Sequence, residues 1–136
     1  MKYVLVLLFF RGNCLMAKAI KEYSLADLME RIEEIFNQNP GPIQGFKAVV
    51  QYDVYGEEQG TYQHYFENGK LTIKKGVETT PTCTMQLSYD SFKKFVLGKQ
   101  SGTMALLTGR VRVLGNLSTA MRIETILRRY NIREPF

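Results

Sequence analysis

The chain has 136 residues, 45% of them hydrophobic and 23% charged. That is the make-up of one folded domain with its own core, not of a disordered or fibrous segment. Two cysteines are too few for a disulfide scaffold, and a net charge of +5 suits an anionic membrane, an acidic ligand or nucleic acid as readily as a plain soluble surface.

The first residues stand apart. In "MKYVLVLLFFRGNCLMAKA", Lys2, an apolar run and Ala17-Lys18-Ala19 have the form of a signal peptide. Against that form, the run is short, Arg11 interrupts it, and Met16 opens a second start. Residues 1–19 therefore read as a leader foreign to the fold, an upstream in-frame extension, with secretion as the alternative. The domain is placed at 20–136 and the protein in the cytoplasm. Cys14 falls in the leader and Cys83 in an alternating run, so no disulfide is expected and the compartment is read as reducing.

"SLADLMERIEEIF" predicts an amphipathic helix. Ser24 can cap it, and Leu25, Leu28, Met29, Ile32, Ile35 and Phe36 form one stripe. "NPGPIQG" stops it. In "FKAVVQYDV", Phe46, Ala48, Val50, Tyr52 and Val54 alternate onto one face of a strand. "TYQHYFE" and "KLTIKK" flank Asn68-Gly69, a strong hairpin signal. Tyr62, His64 and Phe66 share one face of the first, Leu71 and Ile73 one face of the second. "CTMQLS" then alternates Cys83, Met85 and Leu87. These four strands are expected to form an antiparallel meander with one buried face.

The pattern turns helical at "YDSFKKFVLG", with Ser88 as cap and Phe92, Phe95 and Val96 on one side. A short helix is expected from Ser101 to Gly109, then a fifth strand, "RVRVL", with Val111 and Val113 inward. Asn116 can cap a last helix whose Leu117, Ala120, Met121, Ile123, Leu127 and Tyr130 form a broad stripe. The expected architecture is α+β: a five-stranded antiparallel sheet with one face covered by about four or five helices.

Catalytic chemistry finds little support. The chain contains a single histidine, His64, and it reads as a hydrogen-bonded histidine at the edge of the core. A triad through it is not excluded by sequence, but no GxSxG elbow, P-loop, GxGxxG, HExxH or CxxC occurs. The acids at 33–34 and 57–58 read as solvated charge. We therefore expect no enzyme activity, no metal and no cofactor. Nucleic acid is not expected either, because the aromatics alternate on the covered face and not on an open basic one.

The run "DSFKKFVLGKQSGTMALLTGRVRVLGNLSTAMRI" resembles the sterol carrier protein 2 (SCP2) domain family. The likeness rests on Gly98-Lys99, the apolar turn Met104 to Leu107, Gly109, the strand 110–114, Gly115-Asn116 and Ala120-Met121. With the upstream strands it extends over about residues 20–130. The ending "REPF" lacks a peroxisomal signal, which favours a stand-alone prokaryotic-type member. The resemblance implies non-catalytic binding, and transfer, of a fatty acid, fatty acyl-CoA, sterol-like or isoprenoid lipid in an apolar cavity between sheet and helices. The expected lining is Phe66, Phe92, Phe95, Met104, Leu107, Val111, Val113 and Met121. The alternative is an accessory protein-interaction module with a closed core, supporting lipid or quinone biosynthesis through a protein partner. Arg122 and Arg129 on the last helix, with Lys93, Lys94 and Lys99, also suit transient contact with an anionic membrane surface.

Overall fold

The computed structural model describes residues 23–99 and 108–132. Its elements in chain order are α1 (Leu25–Gln38), a 3-10 turn (Gly41–Ile43), β1 (Ala48–Tyr55), β2 (Gly60–Glu67), β3 (Lys70–Lys75), β4 (Cys83–Ser88), α2 (Tyr89–Val96), β5 (Val111–Gly115) and α3 (Leu117–Tyr130).

Local chemistry accounts for the element ends. Ser24, Ser88 and Asn116 each accept a hydrogen bond from the backbone N–H three residues on, at 3.1, 3.0 and 3.0 Å, the side-chain capping that satisfies an orphan donor. The Glu58 carboxylate accepts from Leu25 N–H at 2.9 Å, so the β1–β2 turn helps to cap α1. Asn68 and Gly69 both have positive φ, 56° and 69°, as a type I′ hairpin turn requires.

The strand order is β3-β2-β1-β4-β5. β1, β2 and β3 form the expected antiparallel hairpins, and β4 with β5 is antiparallel too. β4, however, lies parallel to β1, with Val50 opposite Cys83 and Val54 opposite Leu87. The sheet is therefore mixed, not purely antiparallel, and the meander ends at β3.

Two sets of side chains show why. The outer edge of β3 is already taken by α1. Asn37 donates to Leu71 C=O at 2.8 Å and accepts from Leu71 N–H at 2.9 Å, and Glu33 accepts from Ile73 N–H at 2.7 Å. The chain must return to the free edge of β1 instead. It does so across the polar face of the sheet, where Gln63 holds the 76–82 connection. Gln63 Oε1 accepts from Glu78 and Thr79 N–H, and its amide donates to Thr79 C=O at 2.8 Å. Glu33 and Glu58 are thus backbone partners, a correction to their reading as solvated charge.

Three α-helices are present among the described residues, fewer than the four or five expected; the short helix expected at 101–109 falls mainly outside them. The inward faces of the strands are those the alternation predicts. Phe46, Val50, Tyr52, Val54, Tyr62, Phe66, Leu71, Cys83, Met85 and Leu87 are all buried in one core with the helices. Tyr130 ties α3 to the end of α1: its ring stacks on Phe36 at 4.1 Å and its hydroxyl donates to Asn39 C=O at 2.7 Å.

α3 departs from its expected stripe. Its buried residues are Ala120, Ile123, Ile126 and Leu127, whereas Leu117 and Met121 are 47% and 58% exposed. Met121 stands two residues from Ile123, about 200° around the helix, so the two cannot share a face. The helix turns its Ile123 side inward and Met121 points out.

Gly115, between β5 and α3, has φ +88°, and a Cβ there would stand 2.8 Å from Thr82 C=O. Only glycine lets the chain turn there beside β4.

Candidate functional site

The sheet supplies the floor of the interior and the helices its roof. Between them lies a narrow void of about 10 Å³, room for one water molecule. Ile32 and Phe36 reach it from α1, Tyr52, His64 and Phe66 from the sheet, Phe92 and Val96 from α2, and Ile123 and Leu127 from α3. None of these residues is more than 7% exposed.

Each side chain arrives there through its local pattern. Tyr52, His64 and Phe66 stand on the inward face by strand alternation. Val50 is opposite His64 in the β1–β2 register, so Tyr52 is its diagonal neighbour, and the two rings meet at 4.7 Å. Phe92 meets Tyr52 edge-on at 5.2 Å, and Phe36 and Phe66 approach at 6.1 Å, the tilted geometries that ring quadrupoles favour.

Two polar groups sit in this apolar setting. His64 is 3% exposed, so it belongs to the core and not to its edge. Its Nε2 lies 3.1 Å from Met29 Sδ, and a thioether is only a weak acceptor. The hydrogen-bonded histidine expected from sequence thus has a sulfur as its sole partner among the described residues. Burial lowers its pKa from the usual 6.5 to about 3, so the ring is neutral at ordinary pH. Tyr52 is likewise 3% exposed, its hydroxyl makes no hydrogen bond among the described residues, and burial first, then the Cys83 thiol, raises its pKa. Burial also pushes the Cys83 thiol up to about 11, so it packs as a small apolar group.

The eight residues expected to line a lipid site divide into four groups. Phe66 and Phe92 line the void. Phe95 and Val111 are buried in the same core and Val113 packs against it half-buried, but none of the three reaches the void. Met121 faces outward. Met104 and Leu107 lie outside the described residues. Sequence reasoning passed over Ile32, Phe36, Val96, Ile123 and Leu127 as lining, although their helical stripes pointed inward. Of the two polar members, it read His64 as structural and placed Tyr52 on the inward face without assigning it to the site.

A second hollow lies outside, between the 3-10 turn and the outer side of α3. It holds about 470 Å³ and is lined by Pro42, Gln44, Ser118, Met121, Arg122, Thr125, Ile126 and Arg129. Arg122 and Arg129 meet there as their spacing predicts, with the Arg122 guanidinium 5.2 Å from the centre of the Phe46 ring. On α2, Lys94 pairs with Asp90 at 3.1 Å and the Lys93 ammonium sits 4.6 Å from the Tyr89 ring centre. Among the described residues no group of His, Cys, Asp and Glu is arranged to hold a metal, and no helix is long and apolar enough to cross a membrane.

Comparison with known proteins agrees with this architecture. The profile of the SCP-2 sterol transfer family matches residues 29–128. Hydroxysteroid dehydrogenase-like protein 2 of Xenopus tropicalis is 26% identical over 125 residues, 91% of this chain. The chain spans only 30% of that relative's length. The solution structure of the sterol carrier protein domain 2 of Helicoverpa armigera superposes with a TM-score of 0.65 at 20% identity, covering 78% of this chain and 87% of that one. A ubiquinone synthesis protein, UbiJ-SCP2, superposes with a TM-score of 0.62 at 15% identity, covering 76% and 95%.

Proposed function

The chain belongs to the SCP-2 sterol transfer family, and from that premise we propose that it holds the apolar part of one lipid between its sheet and its helices without transforming it. The observation that carries this reading is the interior itself. Nine buried side chains from the three described helices and the sheet converge on a void, with aromatic and branched aliphatic surface on every side.

The void is small, so a ligand enters only as the helices separate from the sheet. Each methylene moved from water into such a space gains roughly 0.8 kcal/mol. A lipid drawn from a bilayer is already dry, so selection falls to pocket shape and to a few polar groups. Phe66 and Phe92 are the proposed contacts at the void. Phe95, Val111 and Val113 are proposed to follow as the interior widens, with Met104 and Leu107 contributed by the segment before β5. The ligand class is a fatty acid, acyl-CoA, sterol-like or isoprenoid molecule.

Native mass spectrometry of the protein purified from its own host tests the reading. A chain mass increased by one lipid is expected, together with uptake of a fluorescent fatty chain from vesicles. Met104→Trp and Leu107→Trp are expected to reduce uptake.

The narrowness of the void supports a second reading, a closed accessory module that binds another protein. The likeness to a ubiquinone synthesis protein is in keeping with it. A stoichiometric protein partner, with no lipid and no uptake, would decide for this reading.

A further inference from the structure

We propose that His64 and Tyr52 form a recognition point inside the molecule for a neutral oxygen of the ligand, a hydroxyl or a carbonyl, and so select lipids by that group. The proposal rests on the lipid-binding reading and sharpens it.

Three observations carry it. Both side chains are 3% exposed and both border the same void. Neither has a nitrogen or oxygen partner among the described residues; Met29 Sδ, 3.1 Å from the His64 Nε2, is the nearest substitute. A buried polar group without a partner is costly, and proteins avoid it where nothing depends on it. Finally, the void has the volume of a single oxygen-sized group.

The chemistry of the pair narrows the ligand. A neutral imidazole offers one N–H and one lone pair, and the Tyr52 hydroxyl both donates and accepts. Together they can complete the hydrogen bonds of an alcohol, or donate to a carbonyl. An ionised carboxylate is disfavoured. No Lys or Arg lines the void, and a buried charge without a counter-charge is far more costly than a buried dipole. The residues that surround the pair, Met29, Phe66 and Phe92 among them, are uncharged, and burial keeps His64 itself from protonating at neutral pH. The alkyl body of the ligand then extends from this point through the aromatic wall.

Displacement of a fluorescent fatty-chain probe tests the idea on the full chain, with 1-dodecanol, 2-dodecanone, dodecane and laurate at neutral pH. The alcohol or the ketone is expected to bind about tenfold more tightly than dodecane and laurate, a difference of about 1.4 kcal/mol. Tyr52→Phe is expected to reduce this preference several-fold, and Tyr52→Phe with His64→Leu to abolish it, read as the ratio of dodecanol to dodecane affinity within each variant. Because the chain has one histidine, its imidazole ¹⁵N signals are unique, and they are expected to shift with dodecanol and not with dodecane. Equal binding of dodecanol and dodecane, or a preference that survives in the double variant, would overturn the recognition point while leaving lipid binding intact. Failure of all four compounds to displace a bound probe would likewise overturn the recognition point, and failure of the probe to bind would overturn both.

Discussion

Gln63 and His64 are neighbours on β2, equally hidden, and face opposite ways. Gln63 is 0% exposed, yet its amide is fully used. It donates to Gln51 Oε1 and Thr79 C=O, and it accepts from Tyr65 Oη, Glu78 N–H and Thr79 N–H at 2.7–3.3 Å. His64 has a sulfur. The outer face of the sheet buries polar atoms and satisfies them, because the 76–82 connection lies over it and brings its own backbone groups. The inner face buries two polar side chains and leaves them short of partners among the described residues. One arrangement is a fastening, and the other has bonding capacity to spare. The difference separates a structural use of burial from a recognition use, although both residues sit in one strand.

Replacing Gln63 strikes the satisfied face and has the largest expected effect. Gln63→Leu strands the 76–82 backbone and the Tyr65 hydroxyl without their partner. These groups are only partly buried, so water replaces some of what is lost, and a total loss of roughly 1–3 kcal/mol is expected in urea unfolding. A loss below 1 kcal/mol would mean that the connection is not held by this amide.

Acid probes the unsatisfied face. The folded-state pKa of His64 is lowered to about 3 from 6.5, so below pH 6.5 the unfolded chain takes up a proton that the folded chain refuses. Stability from this group is unaffected above that range and declines as pH falls from 6.5 toward 3. Between pH 7 and 5 the wild type is expected to lose about 2 kcal/mol through it. His64→Leu is expected to lack that component of the slope. Parallel pH profiles for the two proteins would show that the ring is solvated.

Tyr52→Phe gives the smallest and most pointed contrast. It removes a hydroxyl with no hydrogen-bond partner among the described residues and keeps the ring against Phe92. Unfolding free energy is expected to be unchanged or to rise by less than about 1 kcal/mol, the reverse of the Gln63 result. A loss above 1 kcal/mol, read from the same urea curves, would reveal a hydrogen bond at Tyr52 in solution.

Much of this was legible in the chain. The capped starts at Ser24, Ser88 and Asn116, the Asn68-Gly69 hairpin and the inward faces of the strands rest on local rules, and they appear as expected. So do the burial of Phe66 and Phe92 and the family likeness. The parallel placement of β4 was not legible, since alternation tells which way a side chain points and not which strand lies alongside. Met121 was misplaced because a broad apolar stripe on α3 has two candidate faces, and only packing against the sheet selects Ile123 over Met121.

The sequence by itself determined the set of local elements and the apolar character of the interior, because periodicity, capping and turn residues act over a few positions. Tertiary structure alone decided the strand order, through Asn37 and Glu33 on one edge and Gln63 under the connection. It alone distinguished Gln63 from His64. Both look like ordinary strand residues in the chain, and whether a buried polar atom finds a partner depends on groups distant in sequence.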